Sequence, residues 1–317
     1  MPFLCLKVDV DTLRGTLEGV PRLIELFTRE QVGATFLFSM GPDNTGRAIK
    51  RIFRPGFLAK VRRTSVRANY GLKTLMYGTL IPGPNIGRRA AEPMRAARDA
   101  GFECGIHCWD HVGWQDNVMT QSPEWTRNQM DRAHERFTQV FGTPARTWGA
   151  AGWQMSVEAL RYQGTLGYRY ASDARMGSAI GAKGNAFWPL VRGEVLPVPQ
   201  VVGTLPTLDE LIGIDGCTAD NAHLHLLNLT ASPTADHVFT LHAELEGMAL
   251  LPVMERLLAG WRDQGYTLVS TGTYFDTLTT RSLPYCEVEW GEIAGRTGTL
   301  MKQGLPYLAN IEKTMRR

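Results

Sequence analysis

The sequence predicts an α/β fold built on a parallel sheet. Short runs of β-forming residues alternate with segments of helical spacing along most of the 317 residues, and polar side chains collect at the ends of those runs. The composition is 44% apolar, with no Gly/Ser or Pro-rich linker and no repeat period, which favours one large domain over two small ones.

The elements follow in order. FLCLKVDV (3–10) reads as a buried strand, and 19–31 as a helix through Val20, Leu23, Ile24 and Phe27. ATFLFS (34–39) is a second strand. A helix is expected over 88–100, a short strand through Glu103–Ile106 and a long amphipathic helix over 122–140. Later strands are expected at 146–150, 168–172, 195–199, 238–243 and 267–271. Strand ends that carry polar residues form the chemical face of such a sheet.

One stretch breaks the rhythm. From Asn44 to Ala91 there is no acidic residue, whereas Arg51, Arg54, Lys60, Arg62 and Arg63 are among many basic ones. Ile52, Phe53, Phe57 and Leu58 sit between them at helical spacing. This reads as a basic amphipathic insertion (44–91) within a catalytic unit of 1–300, followed by a basic C-terminal segment, 301–317. Apolar residues in register with the charges favour contact with an anionic membrane surface over nucleic acid. A nucleic-acid module would also leave the Asp/His pattern below without a role. No apolar run reaches the ~18–20 residues of a membrane span. The start, MPFLCLKVDVD, reaches Asp9 too early for a signal peptide. The five cysteines are odd in number and match no zinc-knuckle spacing, so reduced thiols and a cytosolic address are expected.

Asp9 and Asp11 lie two apart at the end of the first strand, so their carboxylates share a side. A cation on one relieves their repulsion and leaves the other free as a base. Read alone, the pair also suits a turn or a helix cap. His107 and His111 in GIHCWDH are spaced to share a face of a helical turn. With Asp11 they offer one carboxylate and two imidazoles, the ligand count of a catalytic metal site. His242 ends a late strand and can enter the same cavity, or it can be a buried histidine bonded to Glu244 or Asp209.

Asp9-Val10-Asp11, His107-x-x-x-His111 and Leu241-His242 resemble the motif series of the polysaccharide deacetylases, the NodB-homology group or carbohydrate esterase family 4. VDVDTLRGTLEGVPRL, FSMGPDNTGR, HCWDH, AAGW, LPTLDE and HAELEG extend the resemblance through most of 3–300. They look most like a branch that deformylates 4-deoxy-4-formamido-L-arabinose carried on undecaprenyl phosphate.

The resemblance implies a distorted (β/α) barrel with fewer than eight repeats. It implies Asp9 as base, His242 as acid, and Asp11, His107 and His111 as ligands of one divalent metal ion: zinc, manganese or cobalt. It further implies a peripheral enzyme on the cytoplasmic face of the bacterial inner membrane. Its products would be formate and the 4-amino sugar lipid used to modify lipid A in resistance to polymyxin and cationic peptides. Deacetylation of another N-acylated sugar or polysaccharide is the alternative.

Two departures stand out. Val10 separates aspartates that the wider family has adjacent, and Gly149–Trp153 lacks the arginine that steadies the family's base. Arg175, in SDARM with Asp173, is a candidate substitute. Asp209 is a candidate to orient His242. Trp153 is a candidate pocket wall, with Trp109 and Leu205–Pro206–Thr207.

Overall fold

The computed structural model describes residues 1–48, 73–177, 185–296 and 298–307. Its thirteen strands are β1 (Phe3–Val10), β2 (Thr35–Ser39), β3 (Glu103–Cys108), β4 (Thr147–Trp148), β5 (Tyr170–Ala171), β6 (Arg175–Met176), β7 (Ala186–Val191), β8 (Glu194–Val195), β9 (Gln200–Val201), β10 (His237–His242), β11 (Thr267–Val269), β12 (Tyr285–Gly291) and β13 (Leu300–Pro306).

β1 lies at the centre and is buried from Leu4 to Val10, as the covered strand of a parallel sheet must be. Leu4 to Asp9 pair with β10 along one edge. The other edge is shared: Phe3–Cys5 pair with β11 and Lys7–Val10 with β2. The parallel order runs β10-β1-β2-β3-β4-β5-β9. Beyond β9, Thr204 and Leu205 donate backbone N–H groups to Val238 O on β10. The ring is thereby joined, giving a distorted barrel with fewer than eight repeats.

Helices cover the outside for local reasons. The helix Val20–Arg29 has Pro21 in its first turn and buries Val20, Leu23, Leu26 and Phe27, with a π-helical turn, Gly15–Gly19, leading into it. The helix Pro123–Phe141 starts where Ser122 accepts the Trp125 N–H and stops at Gly142, whose φ of 78° ends it in the left-handed region.

The expected elements need four adjustments. The helix at 88–100 is two pieces, Ile86–Arg89 and Ala91–Asp99, broken where Ala90 leaves helical geometry. The strand at 195–199 is replaced by β8 and β9 on either side of it, because Pro197 and Pro199 have no N–H for a ladder. β7, β12 and β13, with β6, form an arm that extends the sheet and was not expected. β13 therefore carries the fold to Pro306, past the boundary expected at 300. Among the described residues no helix is long and apolar enough to cross a membrane, and all five cysteines are free.

Candidate active site

The C-terminal ends of β1, β3 and β10 converge on one cluster. Lys7, Asp9 and Asp11 follow each other at period two along and just past β1, and all three are buried. Asp9 stands beside His242 in the β1–β10 register. His107 is on β3. His111 is the first residue of the helix His111–Asn117, whose cap is Asp110 accepting the Gly113 N–H. The two histidines therefore do not share a helical turn, which corrects the reading of their spacing. The strand ends between them, and the turn through Cys108–Asp110 brings the rings to 5.3 Å between centroids.

Asp11 bridges the pair. Its Oδ1 is 3.2 Å from His107 Nε2 and its Oδ2 is 3.2 Å from His111 Nε2. His107 Nδ1 lies 2.6 Å from Gly149 O, a contact that requires the hydrogen on Nδ1. In the neutral ring Nε2 is then an acceptor, and it faces Asp11 Oδ1, another acceptor that is buried and has no hydrogen-bond partner. Two lone pairs at that separation need a positive charge between them. Burial alone would lower the His107 pKa, but Asp9 and Asp11 outweigh it and hold it raised. Burial would likewise raise Asp11, but His111 and His107 hold it well below the usual carboxylate range. Donor atoms of Asp11, His107 and His111 all lie within 4.8 Å of one another, so one cation fits the set.

Asp9 is also 3.8 Å from His107, and its Oδ1 is buried without a hydrogen-bond partner. The cation beside it is Lys7, which the sequence reading passed over: Nζ is 3.5 Å from Asp9 Oδ2 and donates to Ser172 O at 3.1 Å. A lysine two residues before Asp9 in a strand of otherwise apolar residues was the available signal, since a buried lysine needs a partner. Arg175 does not take that place, contrary to expectation. It comes from a different strand and spends its guanidinium on Glu210, at 2.8 and 3.0 Å, and on Leu205 O.

Trp153 joins these groups. Lys7 Nζ lies 5.1 Å and the Arg175 guanidinium 4.7 Å from its ring centroid. Trp153 has φ 56°, following Gly152 at 61°. A left-handed tryptophan costs about 1–2 kcal/mol, strain of the kind held at functional sites. Asp173 anchors this turn by accepting the Ala150 N–H at 2.7 Å, and burial pushes its pKa up to about 6. Trp109 is buried beneath Arg132, whose guanidinium is 4.4 Å from its ring.

Three further carboxylates hold the cluster; of these the sequence pointed only to Glu244, and to it as a neighbour of His242. Glu244 accepts from Asp11 N, Thr12 N and Thr12 Oγ1 at 3.0, 2.8 and 2.8 Å. Its pKa is raised well above normal by burial and by Asp11. Glu246 accepts the His242 N–H at 2.8 Å, and burial pushes it up to about 8. Asp43 accepts the Leu13 N–H at 2.9 Å. Glu244 is thus committed to the Asp11 loop, and Asp209 accepts the Thr207 hydroxyl at 2.5 Å. The His242 ring has a buried Nδ1 without a hydrogen-bond partner. The expected membrane residues Arg51, Arg54, Phe57, Arg62 and Arg63 lie outside the described residues.

A polysaccharide deacetylase profile matches residues 11–171. A curated relative from Shewanella sediminis (strain HAW-EB3), named "Probable 4-deoxy-4-formamido-L-arabinose-phosphoundecaprenol deformylase ArnD", is 36% identical over 94% of this chain and 93% of its own. One of the same name from Wigglesworthia glossinidia brevipalpis is 31% identical over 77% and 82%. Among solved structures, a Mycobacterium smegmatis protein assigned as a polysaccharide deacetylase matches 91% of this chain and 95% of its own, with TM-score 0.59 and 14% identity. The chitin deacetylase of Colletotrichum lindemuthianum matches 86% and 87%, with TM-score 0.52 and 14% identity.

The chain is an amidohydrolase with a carbohydrate-esterase-type reaction. It belongs to the polysaccharide deacetylase family, and the two curated relatives above bear the name of the formamido-arabinose deformylase.

Proposed function

We propose that the protein removes the formyl group from 4-deoxy-4-formamido-L-arabinose linked to undecaprenyl phosphate, releasing formate and the 4-amino sugar lipid destined for lipid A. The observation that carries this reading is the 36% identity, across 94% of the chain, to a relative of that name. The cluster described above supports it, because each motif residue stands at a strand end or just beyond one.

Asp11, His107 and His111 would hold one divalent metal ion (zinc, manganese or cobalt), which when bound supplies Lewis-acid polarisation of the acyl oxygen and a more acidic water. Asp9 accepts the proton of a water molecule as its oxygen adds to the formyl carbon. Lys7, fixed by Ser172 O and Trp153, keeps that carboxylate in place. His242, protonated, passes its proton to the nitrogen as the C–N bond breaks, because an amide nitrogen leaves poorly as an anion.

The test is formate release from the formamido-arabinose lipid against its acetamido analogue, across metals. Asp9→Ala keeps the metal and loses turnover, whereas His107→Ala loses both. Full metal content in His107→Ala removes it from the ligand set. The basic insertion at 44–91 and the C-terminal basic residues are proposed to bring the enzyme to a lipid that stays in the bilayer, with about 1 kcal/mol per basic residue near an anionic leaflet. Co-sedimentation with phosphatidylglycerol vesicles is expected, and equal recovery in the supernatant with and without lipid refutes it.

A further inference from the structure

Arg296 lies outside every string that carried the family resemblance, yet it reaches the same cluster. It sits in the loop between β12 and β13. Gly295, just before it, has φ 81°, and a Cβ there would come within 2.5 Å of Glu210 O, so the loop packs this closely on Leu208–Leu211 only with glycine. Arg296 Nε then donates to Glu210 Oε1 at 2.6 Å, and its guanidinium lies 4.4 Å from the Trp153 ring centroid.

Glu210 is already engaged. Its two oxygens take the fork of Arg175, and Oε2 also accepts the Thr207 N–H at 3.0 Å. Glu210 thus serves two guanidiniums, and the neighbouring Asp209 also bears electrostatically on Arg296. Among the described residues the terminal nitrogens of Arg296 make no hydrogen bond, and the side chain keeps 15% of its surface exposed. Trp153 Nε1 is buried and also without a partner. Arg296 is close enough to Asp209, Glu210 and, more weakly, Asp11 for their charges to interact. The result is a firmly seated guanidinium whose unused, largely buried N–H donors on the edge of the catalytic cluster call for an acceptor from a ligand.

We propose that Arg296, seated on Glu210 and Trp153, receives the phosphodiester that joins the sugar to its lipid carrier. The assignment rests on the deformylase reading. In a 4-formamido pyranose the scissile amide and the anomeric phosphate lie across one ring, so a site that works on the first needs an anion receptor one sugar away. A planar fork with unused donors matches a phosphate's oxygens.

The test compares two substrates on wild type and Arg296→Gln: the formamido-arabinose joined through phosphate to a short prenyl chain, and its phosphate-free methyl glycoside. For the prenyl substrate kcat/KM falls about 10- to 100-fold through KM, the range for a lost charge-assisted contact. The glycoside rate stays within about twofold. Equal losses on both, or none on the prenyl substrate, overturn the assignment. If Arg296→Gln does not fold, Arg296→Lys keeps the charge without the fork and shows a smaller loss with the same selectivity.

Titration with farnesyl phosphate separates this idea from the reading it rests on. Wild type that hydrolyses neither formamido compound sinks the deformylase reading, and the phosphate site is then judged by binding alone. Tenfold weaker binding to the variant sustains it, and equal binding overturns it. Selective loss of phosphatidylglycerol-vesicle binding would make Arg296 a bilayer contact and would also overturn it.

Discussion

Lys7→Met keeps the length of the side chain and removes its charge. Both partners of the Lys7–Asp9 pair are essentially buried, and their charged atoms are 3.5 Å apart. At an effective dielectric near 20, unit charges at that distance attract by about 5 kcal/mol. That is a ceiling, because the lysine in wild type carries its own desolvation cost. Breaking one side of a buried pair generally costs about 3–5 kcal/mol, whereas removing both charges is often close to neutral. A double-mutant cycle of Lys7→Met with Asp9→Asn should therefore give a coupling energy of about 3 kcal/mol. The assay is urea unfolding of the four metal-free proteins in chelator at neutral pH, with m-values compared to ensure the same transition is read. The double variant should recover most of the stability lost in Lys7→Met. A coupling below about 1 kcal/mol would show that Lys7 does not hold Asp9 and would refute the assignment of its role.

Two other outcomes follow from the supporting carboxylates. Glu244→Ala strips the acceptor from the Asp11 and Thr12 backbone N–H groups. It should cost about 2–5 kcal/mol of stability and, by loosening Asp11, about 10- to 100-fold in metal affinity by calorimetric titration; unchanged affinity would confine Glu244 to a structural part. Asp173, pushed up to about 6 by burial, binds its proton more tightly folded than unfolded. Its contribution to stability is thus present at low pH and lost as pH rises from about 4 through 6, by up to about 3 kcal/mol. The stability difference between wild type and Asp173→Asn should shift by that sign over that window, and a flat difference contradicts it.

Much of the site was legible because each motif residue stands at the end of a strand or just beyond one. Asp9, Asp11, His107, His111 and His242 come together as their positions in the chain suggested. The histidine pair was read with the wrong local geometry because an i, i+4 spacing is met equally by one helical turn and by a strand end followed by a helix start. The replacement for the missing arginine was misassigned because neighbours across strands depend on barrel register, which no local pattern encodes. Lys7 was visible, the one basic residue within FLCLKVDV, but its meaning required knowing that its side chain is buried on the same side as Asp9. The β12–β13 arm left a faint trace in the alternation of YCEVEWG. What that arm delivers, Arg296 against Trp153, is a contact between residues 143 positions apart and could not be read locally.

The single strand that bears Lys7, Asp9 and Asp11 makes these three functions one inheritable unit. Because alternate residues face opposite sides of a strand, losing one residue between Leu4 and Lys7 while the remainder of β1 holds its partners would reverse nothing downstream. Losing Val8 or Val10 would instead invert the relation of counter-charge, base and ligand in a single event. Substitution can tune each residue separately, but insertion or deletion there cannot be partial. A substitution in this stretch should therefore impair one of the three roles, whereas a change of length should impair all of them together.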